Sequence, residues 1–83
     1  MHEMIIKDYV NKLTEEDIIK YGKKYNIDIS IDDSRILYVY AKNYWREFYK
    51  EYPEDLINEL KEKINPNTFN KLLEYYKKVK KNK

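Results

Sequence analysis

Cysteine is absent from these 83 residues, glycine and histidine occur once each, and proline occurs twice. Each shortage removes a class of chemistry. Without cysteine there is no disulfide framework and no thiolate nucleophile. With a lone histidine, His2, neither a Cys/His zinc set nor a Ser-His-Asp triad can be assembled, and the adjacent Glu3 does not complete a metal site. A single glycine, Gly22, cannot build a glycine-rich phosphate loop. No run of about 18 apolar residues exists, so no membrane-crossing helix is predicted. The opening residues, Met1-His2-Glu3-Met4-Ile5-Ile6-Lys7-Asp8, have neither the basic stretch nor the long apolar stretch of a secretory leader. The expectation is a cytoplasmic chain with no metal, no cofactor and no membrane contact. No activated nucleophile or acid–base pair can be named, so an enzyme is not expected.

What is present is a lysine- and tyrosine-rich string of helix signals. Lys (15), Ile (10), Tyr (10) and Asn (8) make up more than half of the chain. All four have A/T-rich codons, so the position of each tyrosine says more than their number. Charge is unevenly placed. From Lys71 onward six lysines face only Glu74, whereas residues 1–70 carry fourteen acids against nine Lys and two Arg. There is no repeat, linker or composition break, which predicts one domain over 1–83 with a frayed lysine-rich tail at about 80–83.

Capping signals divide the chain into five helices. Over about 2–12, Ile5, Ile6, Tyr9, Val10 and Leu13 recur at helical spacing, which predicts a first helix. Thr14 before Glu15, Glu16 and Asp17 reads as an N-cap with acids in the first turn. That helix is predicted to run to about Tyr25 with Ile18, Ile19, Gly22 and Tyr25 inward, Gly22 marking a close contact or early fraying. Ile27 and Ile29 alternate with polar residues, predicting an extended linker over 26–30 that pins both into the core. Ser30 with Asp33 has the form of a capping box and opens the longest helix, about 31–51. At 100° per residue, Leu37, Tyr40, Ala41, Tyr44, Phe48 and Tyr52 share one face, with Trp45 at its edge. Pro53 opens a fourth helix with Leu56, Ile57, Leu60 and Ile64 inward. Asn65-Pro66 opens a fifth, with Phe69, Leu72, Leu73, Tyr76 and Val79 on one stripe.

Two candidate surfaces emerge. The pairs Glu15/Glu16, Asp32/Asp33 and Glu54/Asp55 all fall in first turns, where the helix dipole accounts for them without catalysis. Tyr38, Tyr44, Trp45 and Tyr49 form an aromatic edge on the long helix, and amphipathic rings of this kind anchor protein interfaces. A protein partner or a second copy of the chain is therefore expected there. The alternative surface is basic. Arg35, Lys42, Arg46 and Lys50 share the opposite arc, and Lys77, Lys78, Lys80 and Lys81 lie in the tail. Cations beside stacking rings are what non-specific nucleic-acid binding requires.

The run Leu13-Thr14-Glu15-Glu16-Asp17-Ile18-Ile19-Lys20-Tyr21-Gly22-Lys23-Lys24-Tyr25-Asn26-Ile27-Asp28-Ile29-Ser30 resembles a YqfT-like family of short, uncharacterised proteins from Bacilli. Its shared marks are a Leu-Thr start, a Tyr-Asn-Ile turn and a Ser/Thr cap on the next helix. Ile64-Asn65-Pro66-Asn67-Thr68 continues the likeness. The resemblance implies a small helical domain of unknown function and carries no functional residues over. A looser likeness, over Leu13 to Leu37, is to helix–extended linker–helix modules of the SAP type, which bind DNA. The fold expected from all of this is a small all-α bundle that binds another macromolecule, protein first and nucleic acid as the alternative.

Overall fold

The computed structural model describes the backbone of residues 2–81 and the side chains of 3–80. Five helices follow one another: α1 (His2–Lys12), α2 (Glu15–Lys24), α3 (Ile31–Lys50), α4 (Glu54–Lys63) and α5 (Pro66–Lys81), with no strand among the described residues. The chain is an all-α domain, and α3 is its spine. Helices α1 and α2 pack along one side of α3, while α4 packs on α3 from the other side and pairs with α5.

Local chemistry sets each boundary. The Thr14 hydroxyl accepts from the Asp17 amide and the Asp17 carboxylate accepts from the Thr14 amide, both at 3.1 Å, which closes a full capping box on α2. Helix α2 ends in a Schellman turn. Asn26 takes a left-handed φ of 61°, the Ile27 amide donates to the Gly22 carbonyl at 2.7 Å and the Asn26 amide to the Lys23 carbonyl at 3.1 Å. Asparagine tolerates that conformation better than most residues. The chain then turns back over α2, so Gly22 lies against the linker rather than fraying. The linker is extended as expected, with Ile27 and Ile29 buried.

The Asn65 side chain accepts from the Asn67 and Thr68 amides and caps α5, with Pro66 at its first position. Ile64 before the cap and Phe69 four positions after it are both buried in one cluster, a hydrophobic staple. That cluster, Tyr40, Ile57, Leu60, Ile64 and Phe69, is the main core, and Leu37, Phe48, Leu72, Leu73 and Tyr76 pack around it.

Several expectations are corrected. Ser30 caps α3 through the Asp33 amide at 3.1 Å, but Asp33 does not return the bond. Its carboxylate is buried and instead accepts from the Asn65 amide at 3.1 Å, tying the start of α3 to the start of α5. The Thr68 hydroxyl adds a bond to the Asp28 carbonyl. Pro53 is the N-cap residue of α4 and makes no side-chain cap, so that helix begins at Glu54. Ile5 is exposed and Tyr9 lies partly in solvent, because the arc of α1 bearing Ile6, Val10 and Leu13 faces α3, while Tyr9 meets the Tyr21 ring of α2, at 6.0 Å. Tyr25, Tyr52 and Val79 also lie partly in solvent: the two tyrosines stack on Tyr75 and Tyr76 at the rim, and Val79 sits near the open end of α5. Helix α5 does not dissolve at Lys80. It continues to Lys81, and Lys80 is held by the Tyr49 carbonyl at 3.0 Å. The side chains of His2 and Lys81, and all of Asn82 and Lys83, lie outside the described residues.

Candidate functional site

The chemistry of the candidate site follows from a gap between two helices. No Cα of α3 comes within 8 Å of one in α5 among the described residues, although each flanks α4. Long aromatic side chains span the distance instead. The Phe48 and Tyr76 rings meet edge to face at 5.7 Å, and Tyr52 stacks on Tyr76 at 5.8 Å. The Tyr76 hydroxyl lies 2.6 Å from the Phe48 carbonyl and 2.9 Å from that of Glu51, to which it donates at the end of α3.

The space left over is an open groove of about 460 Å³, and its lining is almost wholly apolar. Leu37, Ala41, Trp45 and Tyr49 form one wall, Tyr76 and Val79 the other, and Lys80 stands at the edge. Deeper apolar space of about 310 Å³ runs toward Phe69, Leu72 and Leu73.

Burial pushes the Tyr76 hydroxyl up to about 12, with Tyr52 and Glu51 adding to the effect. The unfolded chain would ionise near 10. A raised acid group stabilises the fold fully below the unfolded value, and that contribution is lost as pH rises from about 10 to about 12. Tyr76→Phe is therefore expected to cost about 1 kcal/mol at neutral pH, the usual net worth of such a bond. The same variant should show a shallower loss of stability in alkali. Urea melts of both proteins at neutral pH and in alkali check this, and parallel pH slopes would rule it out.

The structure separates the four predicted aromatics. Trp45 and Tyr49 line the groove. Tyr44 instead lies against Tyr40, at 5.5 Å, on the side where Tyr40 meets α4 through its 2.7 Å bond to Glu59. Tyr38 sits under the Lys42 ammonium, at 5.3 Å. The backbone shows why a uniform 100° step fails here: Tyr44, with φ −129° and ψ 17°, leaves helical geometry and interrupts α3. Phe48, Tyr76, Val79 and Lys80 belong to the groove and were not among the aromatic candidates. Only the distance between α3 and α5 reveals them.

The basic arc on α3 is exposed but flanked by α1 and α2, which bring partners to it. Arg46 and Lys50 both reach Glu3, at 3.1 and 3.6 Å, Arg35 reaches Glu15 at 3.6 Å, and Lys42 donates to the Asn11 carbonyl at 2.9 Å. The Arg46 hydrogen bond is the main reason the Glu3 carboxyl is held below its ordinary value. Each cation thus has a partner within the chain, although the three ion-paired ones remain more than half exposed. Lys77 and Lys78 are exposed on α5, and Lys80 is bound at the groove. The helix-start acids fall in first turns as expected.

A second cleft, about 490 Å³, lies between the linker and the start of α5, lined by Asp28, Ser30, Asp33, Asn65, Thr68 and Lys71 among others. Its buried side chains, Asp33 and Thr68, already hold the linker, α3 and α5 together. Among the described residues no cluster of His, Asp or Glu could hold a metal ion, and no helix is long and apolar enough to cross a membrane.

No curated protein and no solved structure matches the chain. A family model described as "Protein of unknown function (DUF2624)" matches residues 1–80. The chain therefore belongs to that family of unknown function.

Proposed function

We propose that the domain is a non-catalytic, cytoplasmic protein-interaction module whose working surface is the groove between α3 and α5. Within the family, we read it with the YqfT-like proteins of Bacilli, on the strength of the Leu13–Ser30 run. The observation that carries the functional reading is an open, nearly apolar groove on a small helical domain, with Trp45 and Tyr49 on one wall. Water in such a groove has few polar partners, so covering it with an apolar surface is favourable. Trp and Tyr are the residues that most often anchor such contacts. The nucleic-acid alternative draws less support, since Arg35, Lys42, Arg46 and Lys50 are engaged by groups of the chain itself. A polyanion would compete with Glu3 and Glu15 for three of them.

Trp45 is the only tryptophan, so its emission reports on the groove directly. At low protein concentration the amphiphilic dye anilinonaphthalene sulfonate is expected to bind through its aromatic rings, gain fluorescence and quench Trp45 by energy transfer. Val79→Glu, which puts a charge on the opposite wall, should weaken that binding at least several-fold, and added salt should change it little. A single-stranded oligonucleotide should leave Trp45 emission unaltered. Tight oligonucleotide binding that falls steeply with salt, without dye binding, would reverse the choice between the two readings.

A further inference from the structure

We infer that the groove is occupied by a second copy of this chain, which lays the outer ridge of its own α1, Met4 and Ile5, between α3 and α5. The inference deepens the groove reading above and rests on it. Three observations support this occupant.

The first is area. The chain exposes 6435 Å², against about 5,400 Å² expected for a folded monomer of its mass. Its radius of gyration, 12.2 Å, is close to the roughly 11.8 Å expected of a compact domain of this length. The surplus thus reflects surface left open on a compact body, not an elongated shape. Its size, roughly 1,000 Å², is comparable to the area each partner covers in a standard interface, about 800 Å².

The second is that α1 is apolar on two sides. Val10 is buried and Ile6 half-buried on one arc, while Met4 and Ile5 stand 73% and 68% exposed on the other. They are the two most exposed large apolar side chains described. Two such residues on adjacent positions of one short helix form a convex ridge that none of the described residues covers.

The third is charge. Asp8 and Lys12, an acid and a base one turn apart, both share the outward arc with Met4 and Ile5, so the ridge carries no net charge toward the groove edge where Lys80 stands. With a net charge of only +2, two copies repel each other weakly. A ridge and a groove on the same chain can be satisfied reciprocally: each copy inserts α1 into the other, and the pair closes on a two-fold axis.

Sedimentation of the full chain from micromolar to millimolar concentration tests this. The expected result is a two-fold rise in mass, with dye binding to the groove falling as the dimer forms. Ile5→Glu on the ridge and Val79→Glu in the groove should each leave a monomer of unchanged helicity, since both positions are exposed. Mixing the two variants should restore a dimer, because one supplies an intact groove and the other an intact ridge. A wild-type chain that stays monomeric while its groove still takes up dye would overturn the second-copy inference and leave the groove reading standing. A dimer that ignores Ile5→Glu would overturn it as well, and failure of the dye to bind at any concentration would remove the groove reading itself.

Discussion

Replacing Phe69 with alanine is expected to bring the domain close to unfolding at room temperature. Phe69 is only 6% exposed and belongs to the cluster that joins α3, α4 and α5. Truncating a buried phenylalanine costs about 3–5 kcal/mol through lost transfer energy and the cavity left behind. A domain of this size has about 4–12 kcal/mol of stability in all. The cost is raised by position, because Phe69 also completes the staple with Ile64 across the Asn65 cap. Losing it loosens the α4–α5 junction from which the α5 wall of the groove is hung. Urea denaturation followed by circular dichroism measures the change, with Val79→Ala as a nearly neutral control on the same helix. A cost for Phe69→Ala no larger than that of the control would mean that the core lies elsewhere.

Gly22→Ala is expected to destabilise the fold by about 2 kcal/mol, although alanine is the better helix former by about 1 kcal/mol. Gly22 lies in the last turns of α2, and the Schellman turn folds the linker back over it. A Cβ there would stand 2.7 Å from the Ile27 carbonyl oxygen and 2.7 Å from Ile29 Cδ1. The isoleucine tip can rotate away. The carbonyl cannot, since the amide of the same residue is bonded to the Gly22 carbonyl at 2.7 Å. The linker must therefore lift, and Ile27 and Ile29 lose part of their burial. The expected signs are a melting temperature lower by roughly 10 °C and early hydrogen exchange at the Ile27 amide. An alanine variant as stable as the parent, with that amide still protected, would show that the close approach is not a constraint.

Much of this architecture could be read from residue chemistry. Thr14, Ser30 and Asn65 mark helix starts because a short side-chain oxygen can take the place of a missing carbonyl, and all three do so. Ile57, Leu60, Ile64 and Phe69 were placed inward by spacing alone, and they are buried. Spacing fell short on α1, where it did not say which apolar arc is covered. Ile5 and Ile6 follow one another in the sequence, but only the Ile6 arc faces α3, so one is exposed and the other half-buried. It failed again at Tyr44, where the interrupted helix separates Tyr44 from the Trp45 and Tyr49 wall.

The candidate site was half legible. Trp45 and Tyr49 were singled out as amphipathic rings at the margin of a core face, a property of residue type and position along one helix. That Val79 and Lys80 face them across a gap depends on how far α5 stands from α3, and no local pattern encodes that distance. The basic arc teaches the same lesson in reverse. Four cations at helical spacing look like a free outer face until α1 and α2 are laid beside them, bringing Glu3 and Glu15 into reach of three.

Chain composition, spacing and capping chemistry by themselves determined five helices, the starts of α2, α3 and α5, the buried linker and the exclusion of thiol, zinc-finger and phosphate-loop chemistry, because these depend on interactions within a few residues or on which side chains exist. Only the tertiary structure decided which cations are neutralised, where Asp33 sends its carboxylate and which aromatics border open space. Those outcomes depend on contacts between residues twenty or more positions apart, whose distances are set by the packing of whole helices.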